Sequence, residues 1–546
     1  MPDHPHAHSN PPEPVRRDGN LGLVVFALAV VLFMSALDQT VMATALPRIA
    51  ADVGGLEWYA WVFTAYMLAT TAALPIAGKL GDVYGRRPLL LIGITEFLIS
   101  SALAGLAPSM EVLVLMRALQ GVGAGILAAN AQAGLGDLFP PAELGKYNGM
   151  MSGVYALASL VGPILGGTIT DGFGWRWVFL VNIPVGLVAL LVVLLKFRPR
   201  APSPHDAPRD PLDLGGALIL VLAVVAALTS MSQLEQGLDQ LPATIAAGVA
   251  ALLLGALFVR VERRAAAPIL PLWILGHRQL RVILIVTAGT GVAIYSAAIF
   301  TPLMLQGALE LSPTAAGLAM TPMVFALVAG GVVGGVSISR RGRYKHVIVV
   351  GMSAASLGAA LLAHHASSPT VLGTAGWLGV MGFGVGMAIP SLLSGAQNAV
   401  AHAELGVVTA LAKFGRTFGG IVGLAVLGAL LHLRLAAALA RRLPERLPEL
   451  ADAGGSAQLA EILASDPGAL LQGDPSQALH AAQPQLATDP EAIASVLALV
   501  RDSLARSTAD LLWAVAGCLA IVALWSARLA DRELRRSFDE GREAPP

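Results

Sequence analysis

The feature that most restricts how this chain can fold is the recurrence of long apolar runs from residue 21 to residue 528. They fall near 21–46, 58–77, 89–107, 111–134, 148–170, 178–197, 214–232, 242–260, 282–305, 315–338, 346–364, 370–396, 406–432 and 509–528. Each holds about 18 to 25 residues, enough to cross roughly 30 Å of hydrocarbon at about 1.5 Å per residue. The pattern predicts fourteen membrane-spanning helices. A helical bundle is forced, because lipid offers no partner to unpaired backbone groups, and the alternating pattern of a membrane β-barrel is absent. Composition agrees: of 546 residues, 55% are apolar and 13% charged, against about 25% charged in soluble domains, so a single soluble domain is excluded. Lys+Arg and Asp+Glu both number 35, which removes the basic excess of a nucleic-acid binder. One cysteine, Cys518, allows no internal disulfide and has no ligand-spaced His or Cys nearby.

Residues 1–20 are rich in Pro and His and read as a disordered cytoplasmic tail. The first run is too long for a signal-peptide core and stays in the chain as a spanning helix. Residues 21–197 then form a first six-helix bundle, 198–281 a linker with two extra spanning helices, and 282–528 a second six-helix bundle. That second bundle includes a long extracytoplasmic segment, 433–507, and residues 529–546 form a cytoplasmic tail. Basic residues collect in alternate loops: Lys79, Arg86 and Arg87; Lys196, Arg198 and Arg200; Arg260, Arg263 and Arg264; Arg340, Arg341, Arg343 and Lys345. By the positive-inside rule these loops and both termini lie in the cytoplasm of a multi-pass protein of the cell membrane, plasma or inner. The 433–507 segment departs from the rule with Arg434, Arg441, Arg442 and Arg446. It reads as a loop with two helical extensions, or as a docking surface for an extracytoplasmic partner.

The chain lacks a G-x-x-x-x-G-K-[ST] phosphate cradle, an H-E-x-x-H zinc helix and a G-x-S-x-G elbow. Neither a primary pump nor an enzyme is expected, and no catalytic residue, bound cofactor or metal centre is assigned. The loop Gly78-Lys79-Leu80-Gly81-Asp82-Val83-Tyr84-Gly85-Arg86-Arg87-Pro88 carries more information than a generic basic turn. Its glycines permit a sharp reversal, and its acid and arginines can bridge to other helix ends and their dipoles. Gly78, Asp82, Gly85, Arg86 and Arg87 therefore form a candidate conformational clasp. Arg416, near Lys413 at the start of the thirteenth run, is within the expected reach of Asp82.

That loop resembles the G-x-L-x-D-x-x-G-R-[RK] signature of the major facilitator superfamily. Leu37-Asp38-Gln39-Thr40 followed by Ala45-Leu46-Pro47-Arg48-Ile49 is similar to the L-D-x-T…A-L-P-x-I motif of its fourteen-helix drug:proton antiporters. Arg117-Ala118-Leu119-Gln120-Gly121-Val122-Gly123 is similar to R-x-x-Q-G-x-G, and Gly162-Pro163-Ile164-Leu165-Gly166-Gly167 to the antiporter motif G-P-x-x-G-G. Trp175-Arg176-Trp177-Val178-Phe179 with Asn182-Ile183-Pro184 looks like the family's entry to the sixth helix, and Arg416 with Gly419 and Gly420 resembles a late R-x-x-G-G. The resemblance covers residues 21–432. It implies an all-α major facilitator fold, two six-helix bundles plus two extra central helices, and multidrug efflux by proton antiport with a proton gradient as energy source.

The physical reading of the sites runs beside it. An aspartate deep in a spanning helix costs on the order of 3 kcal/mol, so Asp38 is a functional candidate by default. Counted from the ends of their runs, Asp38 lies about 12 Å and Arg117 about 9 Å deep, so the two can pair. Protonation of Asp38 then alters a contact between two helices, unless the pair merely fixes packing. Glu96 is a candidate second proton site, with an interhelical hydrogen bond as the alternative. No acid lies deep in any run after residue 240, which leaves proton count and substrate charge open. Met34 and Met42 share the Asp38 face, and methionine adapts to varied ligands. With Trp61, Tyr66, Gln120 and Gln132 they form the candidate substrate-binding set. The Gly162, Pro163, Gly166 and Gly167 run supplies a deformable seam. The expected partners are lipophilic small molecules, protons and the bilayer, with no nucleic acid. An exporter of one endogenous lipid, siderophore or secondary metabolite, or a non-transporting receptor or scaffold, are the alternatives.

Overall fold

The computed structural model describes residues 21–53, 58–197, 213–235 and 241–535, apart from 447–489 and isolated loop positions between 266 and 403. The expected tails and the middle of the 433–507 segment lie outside the described residues. The first bundle comprises α1 (Leu21–Val53), α2 (Tyr59–Tyr84), α3 (Arg86–Gly105), α4 (Met110–Leu138), α5 (Pro141–Phe173), the short α6 (Arg176–Leu180) and α7 (Asn182–Lys196). A central pair follows, α8 (Leu214–Glu235) and α9 (Leu241–Glu262). After the four-residue α10 (Trp273–Gly276), the second bundle comprises α11 (Arg278–Leu309), α12 (Pro313–Arg341), α13 (Lys345–His365), α14 (Val371–Asn398), α15 (Leu405–Arg446) and α16 (Pro490–Ser526).

Among the described residues twelve helical stretches are long and apolar enough to cross a membrane, α6 and α7 together making one of them. The sequence runs at 148–170 and 214–232 correspond to α5 and α8, which have 33 and 22 residues. Outward-facing leucines and isoleucines such as Ile92, Ile99, Leu191, Leu252 and Leu524 are exposed, as befits helices whose solvent is lipid. The core of the first bundle gathers Leu28, Leu32, Phe97 and Leu127 at one level and Met42, Leu46 and Phe179 at another. The second bundle has one continuous core through Ile283, Met352, Val385 and Leu519. The central pair does not stand apart: Leu220, Val224 and Phe258 pack on Leu68 and Ala72 of α2 and beside Phe414 and Phe418 of α15. It thus covers the lateral seam where the two bundles meet.

At about 1.5 Å per residue α15 is about 63 Å long, twice the hydrocarbon thickness. The part beyond the membrane is held by a second seam, Leu435, Leu439 and Leu443 against Val496, Val500 and Leu504, all buried. These positions are four residues apart and so lie on one face of each helix. Two of the four arginines that break the charge rule find partners there: Arg442 pairs with Asp502, and Arg434 lies 3.5 Å from Asp510.

Within the bilayer, apolar side chains gain little by leaving lipid, so close backbone approach carries helix association. A Cβ on Gly351 of α13 would lie 2.7 Å from the Gly384 carbonyl oxygen of α14, and one on Gly358 2.8 Å from Met381 Cα. Replacing Gly384 with leucine must therefore push α13 and α14 apart. Overpacking of this kind costs about 1–3 kcal/mol; a lowered unfolding midpoint in detergent, read by tryptophan fluorescence, is the expected result.

Candidate functional site

Asp38 sits near the middle of α1, and its neighbours come from three other helices. Arg117 Nη1 of α4 donates to Asp38 Oδ2 at 2.5 Å, with both side chains at most 2% exposed. Gln120, one turn along α4, accepts from Arg117 Nη1 at 2.7 Å and donates to Asp38 Oδ1 at 2.9 Å. Asn182, the first residue of α7, also donates to Oδ1, at 3.1 Å. Both amides reach Ser101 Oγ of α3, and that hydroxyl donates to the Phe179 carbonyl. The carboxylate is thereby satisfied on both oxygens, as burial of a charge requires. The guanidinium is held less completely. Its Nε reaches Val62 O at 3.4 Å, its plane lies over the Tyr66 ring at 4.2 Å, and Nη2 has no hydrogen-bond partner.

Between the bundles lies a cavity of about 460 Å³. The first bundle contributes Ser35, Gln39, Tyr66, Met67, Gln132 and Tyr155; the second contributes Tyr295, Met320, Met323, Lys413, Arg416 and Thr417. Of the residues expected to bind substrate, Tyr66 and Gln132 line it. Met34 and Met42 are fully buried in the first bundle's core, because the helical spacing that aligns them with Asp38 turns them inward with it. Ser35 and Gln39, rotated about 100° from that face, are the α1 residues that reach the cavity. Gln120 belongs to the ion-pair network, and Trp61 packs on the α8 and α9 side. The flexible side chains of the cavity are Met67, Met320 and Met323 instead.

The clasp is tighter than the loop that the sequence predicts. Helix α2 runs on to Tyr84, and the reversal is one residue, Gly85, at φ +89°, a conformation that glycine adopts without strain. Asp82 then receives both first free amides of α15, Gly406 N and Val407 N, each at 2.9 Å. A carboxylate here satisfies orphan donors and faces the positive end of the helix dipole. Arg86 pairs with Asp82 and reaches Asp137 of α4 at 3.3 Å. Gly78 permits the approach: a Cβ there would lie 2.6 Å from Ala410 Cβ and from Gly406 O. Arg87 turns the other way and donates to the Leu194 carbonyl of α7. Beside the clasp, burial and the Asp82 charge push the half-buried Glu404 carboxyl up, while Lys79 pulls it back.

Arg416 corrects the expectation that it joins the clasp. It lies ten residues beyond Gly406 along α15, about 15 Å, and lines the cavity, while the amides at the helix start occupy Asp82. Lys413 likewise does not meet Asp82; its ammonium donates to Ala128 O of α4 at 2.7 Å. This bond joins the bundles, as do the Asp82 contacts and a 3.3 Å bond from Asn148 to Ser394 Oγ. The clasp end of the molecule is shut.

In the G-P-x-x-G-G run, Gly162 lies against Thr40 of α1, whose hydroxyl donates to Ala158 O at 3.1 Å. Gly166 is buried, Gly167 has no neighbour within 4 Å of an added Cβ, and Pro163 carries a side chain outside the described set. The seam thus joins α5 to α1 within one bundle, two residues from Asp38. Glu96 stands apart from both the ion pair and the cavity, with Oε2 buried against Gly123 in the α3–α4 seam and lacking a hydrogen-bond partner. At the far end, Asp52 of α1 accepts from Trp175 Nε1 at 2.9 Å and from Arg176 at 3.0 Å, bonds that hold its carboxyl below the usual range. Ser101, Tyr155 and Tyr295 are site residues that motif reading does not single out, since they depend on which helices become neighbours. Gln39 and Asn182 stand inside the motif segments quoted above, but those motifs assign them no role.

Two helical bundles around a central cavity, with an ion pair buried in one of them, form the architecture of a membrane transporter. Residues 28–424 match the model of the Major Facilitator Superfamily, and the chain belongs to that family. It is 33% identical over 413 residues to the multidrug transporter protein MdtP of Bacillus subtilis (strain 168), covering 76% of this chain and 75% of the relative. Multidrug resistance protein 3 of the same strain is 33% identical over 407 residues, covering 74% and 78%. The MFS-type efflux pump LUC4 of Fusarium sp is 29% identical over 442 residues, covering 79% and 78%. Two solved structures share the fold at a TM-score of 0.55: the human organic anion transporter MFSD10, with 14% identity and 82% of this chain covered against 99% of that one, and the proton:xylose symporter XylE, with 12% identity and 93% against 97%.

Removing Asp82 takes away a helix cap worth about 1 kcal/mol and leaves Arg86 buried with one acid fewer, a larger penalty. In a Cys518→Ala, Ser394→Cys background, Asp82→Ala is expected to speed maleimide labelling of residue 394 at least about tenfold, the equivalent of about 1.4 kcal/mol. Unchanged labelling would show that the clasp does not hold this end closed.

Proposed function

We propose that the protein is a proton-coupled antiporter that exports lipophilic small molecules across the cell membrane, driven by the proton gradient without a bound cofactor. One observation carries the reading: Tyr66 lies against the Arg117 guanidinium of the Asp38–Arg117 pair and also lines the cavity. A proton on Asp38 cancels the charge that holds Arg117. The guanidinium then keeps Gln120, the Val62 carbonyl and the Tyr66 ring. Any shift it makes moves Tyr66, hence the cavity wall, and the amides of Gln120 and Asn182 carry the change to α3 and α7. Coupling runs both ways, since a ligand that resists movement of Tyr66 also resists protonation.

Basic loops assign the clasp end and both termini to the cytoplasm. The closed clasp then belongs to the outward-facing half of the cycle, in which a proton enters from outside as substrate leaves. Opening requires the Asp82 cap, the Asn148–Ser394 bond and the Lys413–Ala128 bond to part together. Adaptable methionines on both sides of the cavity suit loosely selective binding, in keeping with the multidrug names of the bacterial relatives.

The test is uptake of fluorescent lipophilic compounds, cationic, neutral and anionic, by proteoliposomes with and without an imposed pH gradient. Asp38→Asn keeps the shape of the site but gives up the charge and one of its two acceptor atoms, and it cannot carry the proton. It is expected to lose gradient-driven transport by at least about 100-fold, near 2.7 kcal/mol, while still binding the same compounds. Equal gradient-driven rates in both proteins would remove Asp38 from the mechanism.

A further inference from the structure

The cavity has a charge character that the motifs do not disclose. Lys413 and Arg416 lie one turn apart on α15 and both line it, and no aspartate or glutamate does among the described residues. The nearby carboxylates are engaged elsewhere. Asp38 is committed to Arg117, Asp82 and Asp137 to Arg86, and Glu96 is shut into the α3–α4 seam. Lys413 is buried and spends one donor on Ala128 O, which orients its amino group beside Arg416. Arg416 makes no ion pair among the described residues and is only partly buried, so its guanidinium faces the open volume. Its place is set by close packing behind it, since Gly419 and Gly420 let α15 lie directly on Ala288 and Tyr295 of α11.

A guanidinium in a partly desolvated cavity is unfavourable unless an opposite charge joins it, and an anion there would also favour a proton on the neighbouring Lys413. Further donors and acceptors stand without partners on the opposite wall: Thr70 Oγ1 and the Gln132 amide oxygen have none, and Gln132 is 8% exposed. Met67, Met320, Met323 and Leu327 are among the residues that supply apolar surface. We infer that the cavity binds anionic amphiphiles, an acid group paired with Arg416 and Lys413 and an apolar body against the methionines. A lipophilic cation would meet the Arg416 guanidinium and no acid among the described lining residues. This inference rests on the reading of the cavity as the transport site and names its substrate class.

Two probes with one skeleton test it: 11-(dansylamino)undecanoic acid and the matching dansyl alkyl trimethylammonium, titrated by fluorescence into detergent-solubilised full-length protein at neutral pH without any gradient. The acid is expected to bind at least about tenfold tighter. Arg416→Gln should abolish most of that preference, Arg416→Lys should retain it, and Arg416→Glu should reverse it, with size-exclusion profiles matching wild type. Equal or tighter binding of the ammonium to the wild type, no binding of the acid, or a preference unchanged in Arg416→Gln overturns the inference. The antiport reading fails separately: acid binding with no gradient-driven uptake supports the anion site while rejecting proton coupling. Gradient-driven uptake of the ammonium together with a cation preference in binding rejects the anion site alone.

Discussion

A carboxylate placed at mid-membrane depth has to be answered by other helices, and in this protein the answer organises the first bundle. Asp38 on α1 draws Arg117 and Gln120 from α4, Asn182 from α7 and, through the amides, Ser101 from α3. Each of these groups is itself costly in hydrocarbon and is satisfied only while the others stay in place. Between apolar helices in lipid no comparable directional force exists. The network therefore sets the register of four helices, and because it depends on one charge, it is also the place where a proton can disturb that register.

The second bundle is built on the opposite economy. Its core is mainly apolar, glycines bring its helices together, and the start of α15 presents free amides that need an acceptor. The first bundle supplies that acceptor as Asp82. A charged network in one half thus meets a helix terminus in the other. The cavity lies between this contact and the opposite end of the molecule, and the α8–α9 pair covers its flank by packing on α2 and α15 together.

Much of the site was legible in the residues. Asp38 and Arg117 stand out because charges in apolar runs are rare, and equal depth pairs them before any coordinates are considered. The Gly78–Arg87 signature names a turn and its acid, and the structure has the turn at Gly85, but the partner of Asp82 across the bundles is a pair of backbone amides, which no side-chain pattern announces. Met34 and Met42 illustrate the limit of helical periodicity. Spacing tells which residues share the face of Asp38, yet only the positions of α4 and α7 reveal that this face looks into the bundle. Arg416 shows the same limit along the axis, since its sequence distance from Gly406 becomes a depth only when α15 is known to begin there.

By itself the sequence determined that the chain crosses a membrane many times as helices, since length and apolarity leave the backbone no other way to satisfy its hydrogen bonds. It also determined which buried charges demand explanation. Tertiary structure alone decided which faces line the cavity, that Tyr66 bridges ion pair and cavity, and that the lining charge is positive. Those properties depend on the rotation and depth of helices from distant parts of the chain, and helix rotation in a bilayer is set by packing between neighbours, which no single run encodes.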